Sequence, residues 1–198
     1  MSTYIMPPQE VLTSPCCHRV DKHQHEDLIR LFDQTFSELE NTRLIRGDDE
    51  PVYLPASSRC HFHQVVFAHG YFASALHEIA HWCVAGPERR KLEDFGYWYK
   101  PDGRSSDEQA LFEQVEVVPQ AFEWILSVAA GFSFRISADN LSGESRDNTE
   151  FITKVYEEVQ RRLVVGLPKR LGAFVAVLQN YYQQENSLCS SHFLLENL

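Results

Sequence analysis

Among its 198 residues the chain has no run near the roughly 18 consecutive apolar positions that cross a bilayer, which excludes a simple membrane-spanning helix. A basic segment followed by an apolar run, the mark of a secretory signal, is also missing from a start that reads Met-Ser-Thr-Tyr-Ile-Met-Pro-Pro. Basic residues are in the minority, 18 against 28 acidic, for a formal charge of −10. That balance argues against a protein whose main work is neutralising phosphate backbones. The five cysteines, Cys16, Cys17, Cys60, Cys83 and Cys189, are odd in number and irregularly spaced, so neither a disulfide framework nor a zinc knuckle is expected. There is no internal repeat, no low-complexity linker and no nucleotide or flavin fingerprint. The expectation is a cytoplasmic protein with no direct nucleic-acid partner and no membrane partner.

What is present is enough for one core: 43% hydrophobic residues, 12% of all residues aromatic. Residues 1–22, with Pro7, Pro8 and Pro15, read as a flexible extension, 23–184 as the single domain and 185–198 as a trailing segment. Leu28, Leu31, Phe32, Phe36 and Leu39 recur at helical spacing over 25–40. Gly47-Asp48-Asp49 is turn-like, and Pro51 to Pro55 is short and extended. Residues 62–68 fit a strand or the lead-in to a helix over 70–84, which Gly86-Pro87 stops. Helices are also expected over 106–130, 149–163 and 169–182, with Pro119 starting or kinking the second half of the first. The fold class is α+β: mostly helical, with a few short strands.

The sharpest motif is His77-Glu78-Ile79-Ala80-His81. Residues four apart on a helix face the same way, so both imidazoles can reach one ion, as in the H-E-x-x-H helix of metallopeptidases. Nine histidines and eighteen glutamates predict about 0.04 accidental matches in a sequence of this composition. A third ligand is needed, and both Glu113 and Glu116 qualify by spacing. Glu116 is favoured because a helix starting near Pro119 would place it at the N-terminus with Gln120 one turn on. Two imidazoles and one carboxylate suit Zn²⁺ with a water that Glu78 could deprotonate for peptide hydrolysis, and equally Fe²⁺ with open positions for dioxygen.

Longer blocks carry a resemblance. Asn41 to Pro55, Val66 to Trp82, Asp94-Phe-Gly-Tyr-Trp-Tyr99 with Pro101-Asp-Gly-Arg104, and Phe112 to Ala121 resemble the elongation factor P hydroxylase family, over about residues 25–182. The resemblance implies a non-haem Fe(II) enzyme that uses dioxygen and an electron donor to hydroxylate a lysine of elongation factor P, one that first receives a β-lysyl group. It implies His77, His81 and Glu116 as ligands and Glu78 as the neighbouring proton-handling group. A zinc-dependent peptidase with the same ligands and Glu78 as general base is the competing expectation.

Around that centre, Asp48 and Asp49, with Glu50, are candidates to receive ammonium groups of the modified lysine, and Tyr97, beside Trp98 and Tyr99, to line a channel for its aliphatic stem. Arg89-Arg90-Lys91 is a basic patch that could meet an acidic partner surface or cap the preceding helix.

Overall fold

The computed structural model describes residues 22–95, 104–137 and 148–197. Five helices surround one core: α1 (His25–Phe36), α2 (Phe72–Val84), α3 (Ser106–Ala130), α4 (Thr149–Val165) and α5 (Lys169–Tyr182). Three short strands, β1 (Thr42–Arg46), β2 (Val52–Leu54) and β3 (His63–Phe67), form a sheet in the order β1-β3-β2. β1 runs parallel to β3, with Leu44 opposite Val65, and β2 runs antiparallel to it, with Tyr53 also opposite Val65. The mostly helical expectation with few strands is met. None of the described helices is long and apolar enough to cross a membrane.

α1 buries Leu28, Leu31, Phe32 and Phe36 but ends at Phe36, so Leu39 is 84% exposed instead of extending the apolar stripe. The backbone turns there because β1 must begin at once. Asp33 on the helix accepts the Leu44 N–H of that strand at 3.0 Å, tying the two elements together. The sequence patterning did not single out β1. Gly47 follows it in a tight passage, where a Cβ would lie 2.6 Å from the Val66 side chain.

α3 is the central helix, packed by α2, α4 and α5. It opens with a capping box: Ser105 Oγ accepts the Glu108 N–H and Glu108 accepts the Ser105 N–H. It closes at Gly131, whose φ of +64° suits glycine. Of the start or kink expected at Pro119, the new start does not occur; the helix runs through it. A proline inside a helix costs about 3 kcal/mol. Here the second half, from Ala121 to Leu126, is buried on all sides, and that packing outweighs the missing N–H bond.

α2 presents Ala75, Leu76, Ile79, Ala80 and Cys83 to the interior, the small residues allowing close approach to α3. Its C-terminal carbonyls are not capped by the Arg89–Lys91 patch. Arg170 of α5 donates to the Ala85 and Cys83 carbonyls, whereas Arg90 is occupied by Glu40 at 2.9 Å and Arg89 by Asp94. Beyond Glu185 the polypeptide docks again. Phe193 is fully buried, edge-on to Trp124 with ring centroids 5.3 Å apart.

Candidate metal centre

His77 and His81 sit one turn apart on α2, held in place because Leu76, Ile79 and Ala80 on the same turns are wholly buried. Across from them α3 supplies Glu116, which is 3% exposed. His81 Nε2 lies 3.3 Å from Glu116 Oε1 and His77 Nε2 lies 3.8 Å from Glu116 Oε2. The two Nε2 atoms are 3.0 Å apart. One donor atom from each of the three residues falls within 4.8 Å of the others.

Two ring nitrogens at that separation cannot both present lone pairs to each other; a proton on one of them, or a cation shared by both, satisfies the contact. Glu116 Oε2 is buried without a hydrogen-bond partner, an expensive state for a carboxylate unless a cation shares it. Two imidazoles and one carboxylate match the donor preferences of a divalent transition metal, so the residues fit such an ion. Burial pushes Glu116 up, yet the imidazoles of His81 and His77 and a hydrogen bond from Gln120 outweigh it and hold the carboxyl below its usual range.

Glu113, the other candidate acid, is not part of this group. It accepts a 2.9 Å hydrogen bond from Gln109 one turn back on the partly exposed side of α3. Residues three apart can share a face, so spacing does not separate the two acids; the Glu113 carboxylate is engaged by Gln109, and among the described residues only Glu116 joins His77 and His81.

Glu123 is a member of the site that sequence reasoning missed. Its Oε2 accepts from His77 Nδ1 at 2.8 Å, and the residue is only 7% exposed. The signal that could have found it was spacing: Glu116, Gln120 and Glu123 recur at i, i+4 and i+7, a polar line through a stretch, 116–126, otherwise made of Val, Pro, Ala, Phe, Trp, Ile and Leu. Besides its hydrogen bond to Glu116, Gln120 makes a paired contact with the Ser137 backbone, accepting its N–H at 3.0 Å and donating to its carbonyl.

Glu78 is not one of the three donors; it lines a cleft whose wall it shares with His81, Trp82, Tyr53, Arg90 and Asp94. Burial raises its carboxyl above the ordinary range, with His77 and His81 opposing. Asp48 and Asp49 remain on the exposed turn after β1, outside that wall, with the Asp48 carbonyl accepting the His69 N–H at 3.0 Å. Tyr97, with Trp98 and Tyr99, lies outside the described residues.

Comparison with known proteins supplies a relationship. A family model described as elongation factor P hydroxylase matches residues 31–193, reaching past the 25–182 span of the resemblance to include the docked Phe193. The elongation factor P lysine hydroxylase of Haemophilus influenzae is 52% identical over 172 residues, spanning 87% of this sequence and 97% of that protein.

Proposed function

The chain belongs to the elongation factor P hydroxylase family, and from that premise we infer that it hydroxylates a lysine of elongation factor P at a non-haem iron centre held by His77, His81 and Glu116. The observation that carries the residue assignment is the convergence of two Nε2 atoms and one buried carboxylate from α2 and α3. Held by these three residues, Fe(II) would supply the activation of dioxygen, the oxidant that breaks an aliphatic C–H bond of the lysine.

The protein's part is orientation, proton placement and exclusion of water. Glu123 keeps the His77 proton on Nδ1, which turns the Nε2 lone pair toward the ion. Glu116, squeezed between apolar turns of α3, offers its oxygens without solvent competition. Glu78, raised by burial and set in the cleft next to His81, is the group to hold or release a proton as oxygen is reduced. The substrate lysine is one already carrying a β-lysyl group; its ammonium groups would meet Asp48 and Asp49 on the outer turn, and Tyr97 would flank its aliphatic stem. The catalytic unit is 23–184, on which Phe193 of the trailing segment docks. The H-E-x-x-H helix of zinc peptidases here serves an oxidation.

The test is anaerobic reconstitution with Fe²⁺, followed by β-lysylated elongation factor P, reductant and oxygen. Intact mass of the substrate should rise by one oxygen atom, and a fully iron-loaded enzyme that leaves it unchanged would refute the assignment. Protein loaded with Zn²⁺ should give neither the oxygen adduct nor peptide cleavage.

A further inference from the structure

The wall of the cleft that Glu78 and His81 share also includes Trp82, Ala85, Arg89, Arg90 and Asp94, at the end where α2 finishes. Arg89 is paired with Asp94 and Arg90 with Glu40, but Arg170, its guanidinium 4.5 Å over the Trp82 ring, pairs with no carboxylate among the described residues. Its Nη2 serves the Ala85 and Cys83 carbonyls, leaving the other edge uncommitted. Arg90 Nε, Arg170 Nη1 and the indole Nε1 of Trp82, a residue 3% exposed, are all buried donors without an acceptor.

Each such orphan costs about 1–3 kcal/mol, and native proteins tolerate few of them. Three such donors, on Trp82 and Arg90 of one cleft wall and on Arg170 over the Trp82 ring, are therefore informative. Burial, with Arg90 close by, lowers the proton affinity of Arg170, as expected of two cations sharing one acid. Water could satisfy the N–H groups but not the surplus positive charge. A planar oxyanion does both, and guanidinium edges match a carboxylate best.

We propose that this end of the cleft binds the carboxylate of a small organic acid, with Arg90 Nε and Trp82 Nε1 as donors, Arg170 as the charge behind them, and the rest of the ligand directed toward Glu78 and His81. The use of that ligand rests on the hydroxylase reading. The overall reaction R–H + O₂ + 2e⁻ + 2H⁺ → R–OH + H₂O needs a two-electron donor, and a reducing organic acid is the class this cleft admits. Binding itself does not depend on turnover.

The experiment reads the indole N–H of Trp82 by nitrogen-15 NMR in the zinc-loaded full-length protein, with a Trp82→Phe variant to assign it among the three tryptophans. Titration with succinate at constant ionic strength should move that signal downfield and saturate in the millimolar range, while chloride does not move it. Arg90→Gln should weaken succinate about tenfold or more. Arg90→Lys, which keeps the charge beside Glu40 but has no Nε–H, should fall between, and it stands in if the Gln variant is unstable. An unmoved signal at tens of millimolar, an equal response to chloride, or full affinity in a folded Arg90 variant would overturn the site. Saturable succinate binding in an enzyme that reducing acids do not assist would overturn the ligand's assigned use alone. Failure of iron-loaded enzyme to oxidise its substrate would refute the hydroxylase reading and leave the NMR result untouched.

Discussion

The two acidic regions of this molecule make a useful contrast. On the α2–α3 interface, Glu116 and Glu123 are 3% and 7% exposed, fixed by helices that cannot shift without opening the core. On the turn after β1, Asp48 and Asp49 stand in solvent, held only through backbone contacts such as the one from His69. The buried pair has a defined geometry and a strong reason to hold a cation; the exposed pair has charge but no fixed aim. A carboxylate's worth to a site is set by what immobilises and desolvates it, not by its charge.

The largest effects should come from the buried side. Replacing His81 or Glu116 with Ala should lower metal affinity by about a hundredfold or more, measured by chelator competition, whereas Glu113→Ala should leave it within about twofold. Equal losses at 113 and 116 would erase the distinction drawn between these two acids of α3. Glu123→Ala should cost about 10–100-fold in metal affinity. Glu123→Gln, which can still accept from Nδ1, should recover part of that loss. Thermal unfolding of the metal-free variants separates a positioning effect from a folding defect.

A pH titration sharpens the same contrast. Burial opposes a charge on His77, but the carboxylates of Glu123 and Glu116 override it and raise His77 from 6.5 to about 10 in the metal-free protein. A raised folded-state pKa gives stability that is fully present below about pH 6.5 and is lost as pH climbs through about 10. The proton must also leave Nε2 before a metal binds, so metal affinity should rise with pH by up to about tenfold per unit across that window. A flat profile would contradict it. The smallest effect belongs to the exposed turn: Asp48→Asn with Asp49→Asn should raise KM for the modified factor about severalfold through lost charge pairing, with metal affinity unchanged.

Local patterns carried much of this structure. The 77–81 motif sits on a helix that stops before Gly86-Pro87, and the apolar spacing of α1 marks its buried face correctly up to Phe36. Long-range compensation is where local reading failed. Pro119 argues for a helix boundary in isolation, and only burial by three other helices lets the ladder continue. Arg89 and Arg90 look like a solvated patch because their partners, Asp94 and Glu40, are identified by the fold, and in the second case lie 50 residues away. Glu123 was hidden for a related reason: one acid in an apolar stretch declares no role until the helix opposite it brings His77 within 2.8 Å.

The docking of Phe193 has a practical consequence. Its ring seals the flank of Trp124, the residue adjoining Glu123. A purification handle or fluorescent fusion joined beside Phe193 would work as a lever on that plug. Poor iron content in such a fusion would then report a disturbed anchor, with every ligand still intact.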